Sequence, residues 1–167
     1  MNVRRAVPGD EGRLRDLRLL ALTDSPTAFA STYEREAARS EEDWRLLIGS
    51  GATFFVEGAE SVDGFAGAGP DGVVAVHVDK ADPTVVRLVS MWLRPEARGT
   101  GAADELMRAA LVWAGEQRVR AVRLCVIKGN VAARRVYERH GFGLIDACVP
   151  REPDELTELH MERPLTS

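Results

Sequence analysis

The sequence predicts a mixed α/β domain: one central sheet of about seven strands, parallel and antiparallel, with about four helices on its faces. Three observations carry this. Residues 84–127 read as strand, glycine-rich turn, helix and strand, a βαβ unit whose two strands run parallel with a right-handed crossover. Three β-like stretches, at 53–57, at 64–69 with a continuation through 73–78, and at 84–93, are separated by closely spaced turn signals and so pair antiparallel. Helical apolar spacing recurs before, between and after them.

The elements follow in order. Residues 3–7 form a short strand closed by Pro8-Gly9. Asp10 is placed to cap a helix reaching Leu22, with Leu14, Leu17 and Ala21 on one face. Residues 23–39 are small and polar, which suits a loop with some irregular helix. Ser40 caps a short helix carrying Trp44, Leu47 and Ile48, which ends at Gly49-Ser-Gly51. After the three strands, a helix at 101–118 repeats Ala103, Leu106, Met107, Ala110, Leu111 and Ala114. A strand at 121–127 and a helix at 130–140 follow, the latter stopped by Gly141, and two strands at 144–149 and 156–162 complete the chain.

At 167 residues, with no internal repeat, low-complexity tract or linker, the chain is expected to be one domain with a real core. Its 45% apolar and 29% charged content is ordinary for a globular protein, and a net charge of −4 argues against non-specific nucleic-acid binding. Cys125 and Cys148 lie in apolar runs and are expected as buried free thiols. No apolar region follows Met1-Asn-Val-Arg-Arg, and no run reaches the roughly 18 residues that span a bilayer, so the cytoplasm is the expected compartment.

The chemistry gathers at Arg98-Gly-Thr-Gly-Ala-Ala103. A helix start leaves backbone N–H groups without partners and carries partial positive charge. Gly99 and Gly101 let an anion approach those amides, and Arg94 and Arg98 add full charges beside them. This is a phosphate cradle. It is not a P-loop, because no Lys-Ser or Lys-Thr follows Gly101. A literal G-x-G-x-x-G at Gly67, Gly69 and Gly72 is followed by Val73-Val-Ala-Val76, a strand rather than a helix, so no dinucleotide site is expected there.

The spacing of Arg98, Gly101 and Ala103 resembles the pyrophosphate motif of the GNAT superfamily of acyl-CoA-dependent N-acetyltransferases. Asn130-Val-Ala-Ala-Arg-Arg-Val-Tyr137, followed by Gly141-Phe142, is similar to the family's second motif, and residues 3–10 resemble its first strand and turn. The resemblance implies acetyl-CoA as co-substrate, held by Met91, Trp92, Leu93, Arg98, Gly99, Thr100, Gly101, Ala102, Ala103, Asn130, Ala133 and Tyr137. The parallel strands would part near Leu93 so that the pantetheine arm pairs with exposed backbone. Asn130 has two roles open to it, helix cap and pantetheine ligand. Tyr137 is the expected catalytic acid, because a phenol with an ordinary pKa near 10 is protonated at neutral pH and can donate to a departing thiolate.

The implied reaction is direct attack of a primary amine on the thioester in a ternary complex, with a non-catalytic acyl-CoA-binding domain of the same fold as the alternative. No Asp, Glu or His lies on the strand at 84–93, a departure from family members with a glutamate there. Glu34, Glu36, Glu57 or an ordered water remain as proton acceptors. Phe29, Glu34, Ser90 and Trp92 are the candidate acceptor residues, with Ser90 and Trp92 expected on one face by strand alternation. Arg134 and Arg135 are candidates for a CoA phosphate. His77, His140 and His160 are dispersed, so no metal is expected. The expected partners are a small-molecule or protein amine, without nucleic acid or membrane, and a homodimer is left open.

Overall fold

β-Branched and aromatic residues dominate the strands, and the two faces of the resulting sheet are covered by different helices. The structure, a computed structural model, describes residues 1–58 and 69–166. Its elements are β1 (Asn2–Arg5), α1 (Glu11–Asp24), α2 (Tyr33–Ala37), α3 (Glu41–Gly49), β2 (Ala52–Glu57), β3 (Gly72–Val78), β4 (Val85–Leu93), α4 (Ala102–Glu116), β5 (Ala121–Ile127), α5 (Val131–Arg139), β6 (Gly143–Leu144) and β7 (Glu158–Pro164). They form a seven-stranded sheet in the order β1-β2-β3-β4-β5-β7-β6. Among the described residues only β4 and β5 run parallel.

Alternation along the strands divides the core. Val74, Val76, Val86, Leu88, Val122 and Leu124 share one cluster with Leu106, Met107, Ala110 and Ala114 of α4, and with Tyr137 of α5. Phe55, Val73 and Trp92 point to the other face, against Leu14, Leu17 and Ala21 of α1 and Trp44 and Ile48 of α3. Small residues at 110 and 114 bring α4 close to the sheet. Among the described residues no helix is long and apolar enough to cross a membrane.

Most elements stand where the sequence places them, with a few departures. Asp10 precedes α1 but makes no side-chain cap. Its carboxylate instead accepts two bonds from Arg4, at 2.8 and 3.0 Å, and one from the amide of Val7 at 2.9 Å. Ser40 does cap α3, in a reciprocal box with Asp43 (3.1 and 2.9 Å). The segment 23–39 is more ordered than a loop: α1 runs on to Asp24, and Thr32 caps the short α2.

The expected strand at 144–149 is interrupted. Only Gly143–Leu144 pairs regularly with β7, and after a turn at Asp146, where the Cys148 amide bonds the Asp146 carbonyl, a single bridge forms at Val149. Both cysteines are exposed rather than buried. Cys148 lies in this interrupted segment, and Cys125 faces a cavity where β5 has lost its β4 neighbour. The expected strand at 64–69 lies, apart from Gly69, outside the described residues. Gly72 opens β3 because a Cβ there would sit 2.8 Å from the Trp92 carbonyl. That close approach, and not a dinucleotide turn, is its reason for being glycine.

Leu106 is 0% exposed at the centre of the α4 face. Leu106→Ala is expected to lower unfolding free energy by about 2–5 kcal/mol in urea titrations, whereas Leu46→Ala, on the exposed side of α3, changes it by less than about 0.5 kcal/mol.

Candidate active site

β4 and β5 share only three residue pairs, Val85↔Ala121, Val86↔Val122 and Arg87↔Arg123. The parting therefore begins just after Arg87, well before Leu93. Its local cause is a bulge in β4. Ser90 has φ of 60°, and the register with β3 shifts between Ala75↔Val89 and Val73↔Trp92. An extra residue in one strand bends it and increases its twist. Beyond the bulge β4 follows β3 while β5 follows β7, and a cavity of about 320 Å³ opens between them.

Met91, Trp92, Leu93, Arg98, Gly99 and Ala103 line one side of this cavity, and Ile127, Asn130, Ala133 and Tyr137 line the other, with Phe29 also on its wall. Eight of the residues assigned to the cofactor by resemblance, and Phe29 from the acceptor set, thus meet around one space with Tyr137. Gly101 is the N-cap of α4 at φ +90°, and Gly99 has φ +75°. A Cβ at either position would meet nothing within 4 Å. Glycine is needed there for backbone handedness, and the space before the first α4 amides is open. Ala102 is packed beneath the turn, and the Thr100 hydroxyl donates to the Ala97 carbonyl at 2.6 Å.

Arg98 folds back along the cavity wall. Its Nε and Nη2 donate to the Leu93 carbonyl at 3.2 and 3.1 Å, and its guanidinium lies 5.9 Å from the centre of the Trp92 ring. Nη2 also donates to Asp24, which accepts from Trp92 Nε1 at 3.0 Å. Hydrogen bonds from Ser25, Arg98 and Trp92 hold the Asp24 carboxyl below its ordinary pKa. Arg94 is engaged elsewhere, donating to the Pro70 carbonyl at 3.0 Å. Asp24 was missed by sequence reasoning: it lies 68 and 74 residues from its two partners, and no local spacing marks it.

The Asn130 side chain accepts from the Ala133 amide at 3.2 Å, so its cap role is realised. α5 then presents Tyr137 to the cavity, 6% exposed, with its ring edge-on to Phe142 at 6.1 Å. Burial pushes the phenol above its ordinary pKa. A second tie fixes α5 against α4: Asp104 accepts from Arg139, at 2.9 and 3.0 Å, and contacts His140 Nε2 at 2.7 Å. Arg134 Nη1 bonds the Lys128 carbonyl at 3.4 Å, and Arg135 is exposed.

The acceptor candidates do not gather in one place. Ser90 lines a separate cavity of about 450 Å³ between the sheet and the α1–α3 side, while Trp92 borders the first cavity. Both nevertheless face the α1–α3 side, as strand alternation predicts: Trp92 packs against Leu14 and Leu17, and Ser90 Oγ accepts from Arg18 of α1 at 2.6 Å. Glu34 is exposed on α2. Glu57 is paired with Arg4 at 3.0 Å and Arg13 at 3.6 Å. Glu36 is buried and lines the second cavity, where its carboxylate accepts from Arg39 Nε at 2.7 Å.

The Acetyltransferase (GNAT) family model matches residues 15–142, and the chain belongs to this family. It is 31% identical over 136 residues to a mycothiol acetyltransferase of Thermobispora bispora, a match that takes in 81% of this chain and 44% of that protein. The chain thus spans less than half the length of that relative. Among solved structures, a GCN5-related N-acetyltransferase from Kribbella flavida superposes with a TM-score of 0.74 at 22% identity, over 98% of this chain and 97% of that one. A phosphinothricin acetyltransferase from Sinorhizobium meliloti, solved with acetyl-CoA, superposes with a TM-score of 0.74 at 18% identity, over 98% and 88%.

The two roles of Asn130 can be separated. Asn130→Ala is expected to cost about 1 kcal/mol through loss of the cap, and Asn130→Asp to restore most of it, both read by thermal unfolding. If Asn130→Asp keeps stability yet binds acetyl-CoA more weakly, the amide nitrogen is a ligand as well.

Proposed function

We propose that this chain transfers an acetyl group from acetyl-CoA to a primary amine by direct attack in a ternary complex. The observation that carries the reading is the cavity between the parted strands, with the α4 amides at one end and Tyr137 in its wall. The pyrophosphate fits the open space before Gly99 and Gly101, where unpaired amides and the helix dipole favour anions. The pantetheine arm fits along Met91, Trp92 and Leu93, where β4 has no strand neighbour on its β5 side. There a β4 amide is available to polarise the thioester carbonyl.

In this reading the protein supplies orientation and charge stabilisation. The amine attacks the carbonyl carbon, the carbon–sulfur bond breaks, and the Tyr137 hydroxyl donates its proton to the departing thiolate. Glu36 suits the role of base poorly. Burial alone would raise its pKa, but the bond from Arg39 and the charges of Arg18 and Arg39 outweigh this and hold it low. We therefore assign removal of the amine proton to water in the open acceptor cavity. Turnover is the point at which the alternative, a domain that binds acyl-CoA without catalysis, parts from this reading.

Acetyl-CoA at a hundred times its dissociation constant is expected to stabilise the fold by about 2.7 kcal/mol, seen as a raised Tm, while NADH has no effect. Gly101→Glu is expected to abolish the acetyl-CoA shift. Gly101→Ala carries the same backbone strain without the charge and is expected to retain part of it. Equal shifts in the two variants would place the phosphates elsewhere.

Tyr137→Phe keeps the ring packing and removes the donor. Single-turnover rates with one fixed amine are expected to fall by about 10²–10⁴, with acetyl-CoA affinity nearly unchanged. Because burial raises the Tyr137 pKa above about 10, the wild-type rate should climb with pH as the amine loses its proton and show no tyrosine-dependent decline below about pH 10. An unchanged rate in Tyr137→Phe would return the residue to a purely packing role.

A further inference from the structure

The second cavity carries a charge imbalance beside the point where the amine must arrive. Arg18 reaches into it from α1, with its side chain 17% exposed. Its Nη1 donates to Ser90 Oγ at 2.6 Å, and its guanidinium lies 5.1 Å from the centre of the Phe29 ring. Ser90 lines the second cavity and directly precedes Met91, while Phe29 lines the first, so Arg18 stands at the seam between the two. The nearest carboxylate, Glu36, is already taken. It accepts from Arg39 Nε at 2.7 Å and Nη2 at 3.4 Å, whereas Arg18 Nη2 approaches it only to 3.9 Å. Two guanidinium groups thus share one buried carboxylate.

The remaining charged groups around the cavity do not restore the balance. Asp43 spends an oxygen on the Ser40 amide as part of the α3 cap, and Lys80 adds a further cation at the exposed rim. Burial lowers the His77 pKa and favours the neutral ring. Arg18 itself has its pKa lowered, first of all by burial. A desolvated cation with unused N–H donors is costly unless an anion completes it, and a guanidinium fork matches a carboxylate in both shape and charge.

We propose that Arg18 is the recognition residue of the acceptor site and that the acceptor is a small primary amine bearing a carboxylate. This rests on the acetyltransfer reading above. The carboxylate seats on the free edge of the Arg18 guanidinium, and the amine extends past Ser90 toward the thioester beside Met91. The Ser90 hydroxyl holds the guanidinium in place from the bulge, so the deformation that opens the cofactor cavity also positions the acceptor's anchor.

The test compares alanine, alaninamide and ethylamine as acceptors, with kcat/KM referred to the neutral amine in each case. Wild type is expected to favour alanine by on the order of 10² or more. Arg18→Met, alone and paired with Glu36→Gln to avoid stranding a buried charge, is expected to erase that preference while leaving the acetyl-CoA-induced Tm shift intact. Propionate supplies a readout that needs no variant: it should inhibit the wild type competitively against the amine and not against acetyl-CoA. Equal efficiency with all three amines, or no inhibition by propionate, overturns this proposal and leaves acetyl transfer standing. Preferred turnover of a peptide N-terminus over alanine overturns the small-molecule assignment. Turnover of no amine at all overturns both readings together.

Discussion

The site depends on how little of their length β4 and β5 share. Parallel strands joined by a crossover helix ordinarily pair throughout, because each unpaired N–H or C=O in a core is costly. Here pairing stops after Arg87↔Arg123. Both strands nevertheless stay ordered, because each keeps its outer neighbour: β3 remains paired to β4 as far as Leu93, and β7 is paired to β5 from Ala121 to Ile127. The sheet is thus two antiparallel units that meet along three residue pairs and diverge. The backbone left between them is a place where a linear ligand can complete a ladder, and α4 begins at the mouth of that gap with its amides unpartnered.

Two carboxylates tie the elements around the gap. Asp24, at the end of α1, accepts from both Trp92 and Arg98, so one carboxylate links the first helix to β4 and to the turn before α4. Asp104, in the first turn of α4, accepts from Arg139 and contacts His140 at the end of α5. It also places negative charge at a helix N-terminus, where the dipole favours it. Both carboxylates are partly exposed, and such pairs contribute modestly to stability. Their larger effect is geometric, since they fix α1, α4 and α5 around one cavity.

The parts of this arrangement legible in the sequence are the local ones. The cradle could be read because Gly99 and Gly101 sit between a strand and a helix, and backbone handedness demands glycine within a few residues of where it is used. The α5 face could be read because Ala133 and Tyr137 are one turn apart. The bulge could not be read: Ser90 at φ 60° is a residue without the usual glycine or asparagine signature. The early parting beside it was therefore out of reach. Asp24 escaped for a different reason, as its partners are distant in sequence and an aspartate at a helix end is commonplace. The buried Cys125 expected from its apolar surroundings failed because the neighbouring strand that would have covered it turns away.

The same contrast of local and distant separates the two cavities. The residues that the family resemblance assigns to the cofactor lie in two short motifs and a helix start. The second cavity, proposed above for the acceptor, is lined from α1, α2, α3, β2, β3 and β4. Arg18 and Glu36 are brought together by the packing of α2 on α1, and Arg39 joins them from the end of α2. Substituting any one of these alters the charge of the second cavity and leaves the cradle untouched. In the proposed reading, a fold organised in this way can change its acceptor while keeping its acyl donor, because the two cavities are lined largely by different elements.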